Sequence, residues 1–79
     1  MYKNKAPDGS NNLCKNNIAA LRKKSKKSQK ELADLLQLRG LDLDKNAIQR
    51  IENGKRFVTD IELKIIAEHF NVSTDELLK

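Results

Sequence analysis

Polar side chains between residues 45 and 53 have the types and the spacing that binding to nucleic-acid bases requires. They are Lys45, Asn46, Gln49, Arg50 and Asn53. Arg and Lys donate hydrogen bonds to guanine, and Asn and Gln pair with adenine. On a helix Ile48 and Ile51 share one face, so the polar set covers the opposite face. That face carries no acid between Asp44 and Glu52, which indicates that it contacts a polyanion.

The chain holds few of the residues on which enzymes and metal sites depend. Its one Cys and one His, Cys14 and His69, cannot together bind a structural zinc. The helical spacing of Cys14 predicts that it is buried, and we expect His69 at an exposed or edge position. Asp42 and Asp44 lie two apart with no His beside them, which favours helix caps over general acid–base catalysis. We therefore expect no enzymatic activity, no cofactor and no metal ion.

The positive charge lies mainly in the first part of this 79-residue chain, whose net charge is +5. Residues 1–30 carry nine Lys or Arg and one Asp, residues 31–56 carry five charges of each sign, and residues 57–79 carry two bases and five acids. This asymmetry favours nucleic acid or, less strongly, an anionic membrane surface; alternatively, the Lys-rich face only keeps the chain in solution. No apolar run approaches the roughly 20 residues of a transmembrane helix. We expect a cytoplasmic, nucleoid-associated protein with its Cys reduced.

Capping motifs divide the chain into a series of short helices. Ser28, Thr59 and Ser73 are each followed three residues later by a Glu, the pattern of a capping box, and Asp44 is a fourth N-cap. The apolar residues are one-sided with helical spacing, and no run alternates as a strand would. Helices are predicted at residues 12–25, 29–39, 45–53, 60–70 and 74–78. The predicted fold class is all-α, a compact five-helix bundle.

Three segments then occur in a recognisable order. They read Ser-Gln-Lys-Glu-Leu-Ala at residues 28–33, Ala-Ile-Gln-Arg-Ile-Glu-Asn-Gly-Lys-Arg at 47–56, and Phe-Asn-Val-Ser-Thr-Asp-Glu-Leu-Leu at 70–78. In this order the chain resembles the phage-repressor and Cro-like (XRE-type) helix-turn-helix family over about residues 15–79. The resemblance implies a lambda-repressor-like DNA-binding domain, in which the second and third helices form the DNA-binding unit and the third enters the major groove.

The resemblance also implies residue roles. The slots that contact bases fall on Lys45, Asn46, Gln49 and Arg50, although Gln49 matches a position that is more often peripheral or directed to the DNA backbone. The slots that contact phosphates fall on Gln29, Asn53, Lys55 and Arg56. Lys30, in the basic run, flanks this interface and is expected to add phosphate affinity without specificity. A structural ion pair is implied between Arg22 and Glu52.

The chain departs from the family pattern between the second and third helices. Ala33 and Ile48 lie fifteen positions apart, more than the family's usual spacing, so its tight turn is absent. The extra residues fall between Leu38 and Leu43. Either the second helix is a turn longer, or the connection is a loop held to the core by Leu41 and Leu43.

These observations predict a sequence-specific regulator of transcription, and in particular a repressor, that binds double-stranded DNA. We expect residues 1–11 to form a flexible basic arm and residues 12–79 the DNA-binding domain. We expect a homodimer, at least on DNA, on a pseudo-palindromic operator. Its interface would first be sought at Leu77 and Leu78, unless these close the monomer core. The alternative is a protein-interaction or antitoxin-like module on the same fold, with secondary or lost DNA binding. No membrane or small-molecule ligand is evident.

Overall fold

The computed structural model describes residues 14–78, and among these residues five helices and no strands are present. The helices are α1 (Lys15–Lys24), α2 (Gln29–Leu38), α3 (Lys45–Glu52), α4 (Asp60–Phe70) and α5 (Thr74–Leu78). The predicted all-α, five-helix class is confirmed. The predicted arm at residues 1–11 lies outside the described residues. None of the helices within residues 14–78 is long and apolar enough to cross a bilayer.

The helix starts at α2 to α5 follow the predicted caps. Ser28 and Thr59 each accept a hydrogen bond from the backbone of the Glu three residues later, and that Glu accepts one from the backbone of the cap. Ser73 Oγ accepts from the Glu76 backbone at 3.1 Å, and Asp44 Oδ1 accepts from the Ala47 backbone at 2.8 Å. These bonds satisfy amides that the first turn of a helix leaves without partners.

The helix ends differ slightly from the prediction. Ser25, Arg39 and Asn53 are C-cap residues, each just beyond the last helical residue of α1, α2 and α3. At its other end α1 begins at Lys15, after the N-cap residue Cys14, whose side chain makes no capping hydrogen bond. Residues 12 and 13 of the predicted first helix lie outside the described residues.

The helices enclose one apolar core. α1 packs against α3 and α5, α2 packs against α3 and α4, and α4 packs against α5. Fully buried side chains come from all five helices and from the loops; the largest are Ile18, Leu32, Leu36, Leu43, Ile48, Ile51, Ile66, Leu77, Val58 and Cys14. Cys14 is thus buried, as predicted, and Leu77 closes the monomer core.

A side chain of α1 bonds to the last turn of α5. Asn17 Nδ2, in α1, donates hydrogen bonds to the backbone oxygen of Leu77 at 2.8 Å and to that of Glu76 at 3.2 Å. Carbonyls in the last turn of a helix have no partner within the helix. Asn17 therefore caps the carbonyl groups at the end of α5, although it lies sixty residues away from Leu77 in the sequence.

Of the two expectations for the longer connection between α2 and α3, the loop held to the core by Leu41 and Leu43 is confirmed. α2 ends at Leu38, and both Leu41 and Leu43 are buried. The Leu41 backbone N–H donates to the Leu36 carbonyl at 3.0 Å, and Gln37 Nε2 donates to the Leu43 carbonyl at 3.0 Å. The two leucines therefore hold the loop against the core, because leaving the core would expose apolar surface.

Replacing Leu43 by Ala tests this anchoring. Leu43 is 2% exposed, so Leu43→Ala should lower the free energy of unfolding by about 2–5 kcal/mol, since it removes buried methyl groups and leaves a cavity. Leu38, at the end of α2, is 85% exposed, and Leu38→Ala should change stability by less than about 0.5 kcal/mol. Urea unfolding measures both. Equal losses would show that the loop is not anchored.

Candidate nucleic-acid interface

α3 presents its polar side chains to solvent and its isoleucines to the core. Ile48 and Ile51 are both 0% exposed. The residues predicted to contact bases are all exposed on the other side of the helix; they are Lys45, Asn46, Gln49 and Arg50. Asn53 and Lys55, which follow the helix, are exposed as well. The buried isoleucines therefore fix which way the polar face points.

Five of the predicted site residues line one shallow depression in the surface. They are Asn46, Gln49, Arg50, Asn53 and Lys55. Asn53 Oδ1 accepts a hydrogen bond from the Lys55 backbone at 3.1 Å, which orients the Asn53 amide nitrogen as a donor. The depression thus combines amide groups with two cations, a set suited to acceptors such as base edges and phosphate oxygens. Lys45 lies at the first residue of the same helix.

A nearly buried network links three helices beside this surface. Arg22 Nε donates to Glu52 Oε2 at 2.7 Å, and Arg22 Nη2 donates to Glu52 Oε1 at 3.0 Å. The side chains of Arg22 and Glu52 are only 12% and 8% exposed. The hydrogen bond that Arg22 donates to Glu52 raises the pKa of the Arg22 guanidinium against the opposing effect of burial. The ion pair that the family resemblance implied is thus present, as a bidentate contact between α1 and the end of α3.

The same network holds the start of α2. Arg22 Nη1 donates to the Lys27 carbonyl at 2.9 Å, and Gln29 Nε2 donates to Glu52 Oε1 at 3.1 Å. Gln29 is half-buried at the first residue of α2. Glu52 therefore orients Gln29, a predicted phosphate contact. The second N–H of the Gln29 side-chain amide and its carbonyl oxygen remain able to form hydrogen bonds with other groups.

Arg56, another predicted phosphate contact, is held by a carboxylate of α4. Its Nη1 and Nη2 donate to the two oxygens of Glu62 at 2.9 Å and 3.0 Å, and Nη1 also donates to the Phe57 carbonyl at 2.9 Å. The hydrogen bonds that Arg56 donates to Glu62 raise the pKa of Arg56 despite its burial. The sequence indicated Glu62 only as part of a capping box, because an ion pair six residues apart across a loop has no local pattern.

Lys30 is exposed and pairs with Asp34, one turn along α2, at 3.1 Å. Both side chains are more than half exposed. Water and salt screen such pairs strongly, so this contact contributes little to stability. The Lys30 ammonium can therefore exchange Asp34 for a phosphate at small cost.

His69 packs beside Arg39 and Phe70. His69 is half-buried, its Nδ1 accepts from Arg39 Nε at 3.2 Å, and its ring meets Phe70 edge-on at 4.9 Å. Burial, with a smaller contribution from the charge of Arg39, lowers the pKa of His69. Within residues 14–78, no three or more His, Cys, Asp or Glu side chains are grouped as metal ligands would be.

Removal of the Glu52 carboxylate should destabilise the domain strongly. Glu52→Ala leaves Arg22 nearly buried without its counter-ion, so the free energy of unfolding should fall by about 3 kcal/mol or more. Asp34→Ala is the matched control: it breaks the exposed pair with Lys30 and should cost no more than about 0.5 kcal/mol. Urea unfolding measures the free energy of unfolding of both variants. Similar losses would show that the Arg22–Glu52 network does not stabilise the domain.

The Glu62 carboxylate should make stability depend on acid. Burial acts to raise its pKa, but hydrogen bonds from Arg56 and from the Thr59 backbone hold the pKa of Glu62 below its usual 4.5. A carboxylate with a lowered pKa in the folded state contributes stability above its unfolded pKa, and that contribution is lost as the pH falls through the folded value. Glu62→Gln can keep the capping bonds, so below pH 4.5 its stability should fall less steeply than that of the wild type. Urea unfolding at a series of pH values measures both slopes; parallel curves would contradict the assignment.

Comparison with known proteins agrees with this geometry. Residues 18–77 match the family described as Helix-turn-helix. No curated protein and no solved structure matches the chain. The matched span runs from the middle of α1 to the last turn of α5 and includes the whole depression on α3. The chain belongs to the phage-repressor and Cro-like (XRE-type) helix-turn-helix family of DNA-binding regulators.

Proposed function

We propose that this chain is a sequence-specific repressor that reads the major groove of double-stranded DNA with α3. The observation that carries the proposal is the division of α3 into two faces. Ile48 and Ile51 are fully buried, while four donors with base-reading chemistry are exposed above them: Lys45, Asn46, Gln49 and Arg50. The major groove is wide enough to admit a helix, and its base edges distinguish all four base pairs.

Within this proposal, Arg50 and Asn46 are the main readers. Arg50 lies beside Lys55 in the depression and can donate a fork of two hydrogen bonds to guanine, whereas Asn46 can pair with adenine. Lys45 and Gln49 extend the contact along the helix.

The proposed phosphate contacts lie before and after α3 in the sequence. Gln29 with the free amides at the start of α2 binds one phosphate, and Lys30 lies next to it. Asn53 and Lys55 bind a second phosphate beyond the end of α3. We leave Arg56 out of this set because Glu62 already holds both of its terminal nitrogens.

The proposed regulator acts as a homodimer on a pseudo-palindromic operator. Two copies of α3 would then enter successive major grooves about one helical turn apart. Occupation of an operator that overlaps a promoter would block transcription. A chain that only binds proteins would show no preference for particular bases. Selection from a library of DNA sequences therefore separates a DNA-binding repressor from a protein-interaction module.

Selection from a random library of double-stranded DNA tests the proposal. Enrichment of a short inverted repeat, with binding that persists when measured again at higher salt, is the expected outcome. Phosphate contacts alone give affinity that falls steeply with salt and has no sequence preference. No enrichment together with such a collapse would overturn the proposal and favour a protein-interaction module.

Substitutions in the depression should separate base reading from phosphate binding. Arg50→Ala should weaken the preferred site by about 1–3 kcal/mol and relax one base position, while Lys55→Ala should weaken all sequences alike and reduce the salt slope by about 1. Arg50→Lys is the matched control, because it keeps the charge but loses the guanidinium fork. Titration of preferred and scrambled duplexes measures these effects. If Arg50→Ala lowers affinity for both duplexes equally, α3 is not the reader.

A further inference from the structure

Among residues 14–78, only two large apolar side chains are strongly exposed. Leu38, at the end of α2, is 85% exposed, and Ile61, in the first turn of α4, is 66% exposed. One turn before Leu38, Asp34 is already paired with Lys30. The surroundings of Ile61 are different.

Ile61 lies on a face of α4 whose charges form no ion pair with any of residues 14–78, although Asp60 Oδ1 accepts a hydrogen bond from the Ile61 backbone at 2.9 Å. Asp60 and Lys64 flank it, both are exposed, and neither belongs to any of the ion pairs found within residues 14–78. Ile65 is one turn after Ile61, on the same side of the helix, and is half-buried. The face therefore has an apolar centre with one acid and one base beside it.

We infer that this α4 face, formed by Asp60, Ile61, Lys64 and Ile65, binds the same face of a second copy of the chain. In a twofold contact each surface meets itself. When the two α4 helices run antiparallel, Ile61 of one copy packs on Ile65 of the other, and Asp60 lies opposite Lys64. The arrangement pairs both charges and removes both Ile61 side chains from water.

The surface that the sequence suggested first does not fit this role. Leu77 of α5 is fully buried in the monomer and cannot also cover a partner. Leu78 is half-buried and packed against the same core, as Ile65 is, but α5 carries no strongly exposed large apolar side chain, whereas α4 carries Ile61.

The α4 face is also fixed to α3. Glu62, next to Ile61, holds Arg56 at 2.9 Å and 3.0 Å, and Arg56 follows α3 by four residues. A contact at Ile61 would therefore set the separation of the two α3 helices. The inference rests on the proposed function here, because it supplies the homodimer that a pseudo-palindromic site needs.

The size of the face predicts a weak dimer. Two turns of helix bury less than the about 1,200 Å² of a standard interface. The copies would therefore associate weakly in free solution. On DNA, neighbouring half-sites raise the effective concentration of each copy for the other.

Sedimentation equilibrium of the full chain without DNA, at concentrations up to about 1 mM, tests the inference. The wild type should dimerise as concentration rises, and Ile61→Gln should weaken the dimer at least tenfold while its thermal unfolding stays unchanged. Leu38→Gln is the matched control, because it removes an even more exposed apolar side chain elsewhere, and it should leave the dimer unchanged.

Charge reversal provides a second readout. Asp60→Lys and Lys64→Glu should each weaken the dimer, since like charges would face each other, and the double variant should restore it. A chain that stays monomeric at the highest concentration, a dimer that Ile61→Gln does not weaken, or a double variant no better than either single one would overturn the inference. Since no DNA is present, a failed selection for an operator would count against the proposed function and leave these measurements intact.

Discussion

The geometry of the proposed DNA-binding surface depends on one carboxylate, that of Glu52. It accepts two hydrogen bonds from Arg22 and one from Gln29, and so ties the end of α3 to α1 and to the start of α2. Because Arg22 and Glu52 are nearly out of contact with water, a missing partner would leave a charge uncompensated. Glu52 is also the last residue of the helix that carries the proposed readers. The same interaction that keeps the three helices together therefore sets the distance between the proposed phosphate contact at Gln29 and the exposed face of α3.

The parts of the fold that local physics decides could be predicted from the sequence. The caps at Ser28, Asp44 and Thr59 involve residues three apart, so the sequence alone showed them and the helix starts followed. The Arg22–Glu52 contact spans thirty residues and was expected only through the family resemblance. The pairing of Arg56 with Glu62 crosses a loop and had no signal in the spacing. The sequence also left open whether Leu77 lies in the monomer core or at a dimer interface, because a pattern shows that a helix face is apolar but not which surface covers it.

The long connection between α2 and α3 shows how the fold absorbs a change in length. Extra residues in a loop cost little closure entropy, but they would free α3 to move unless something held them. Leu41 and Leu43 do so by entering the core, and Gln37 holds the Leu43 carbonyl from α2. The sequence showed the added length and pointed to the two leucines, but no local pattern shows whether a loop residue enters the core. That depends on the assembled helices.

The hydrogen bonds from Asn17 to the last turn of α5 have a consequence for synthesis on the ribosome. A helix of five residues is too short to persist alone in water, so α5 forms only against a surface that already exists. That surface includes α1, which is made before α5 and whose apolar side is covered only in part, by α3, until α5 has left the exit tunnel. The nascent chain therefore cannot reach its final cooperative state one helix at a time. It acquires full resistance to proteolysis only after the segment that contains Leu77 has emerged.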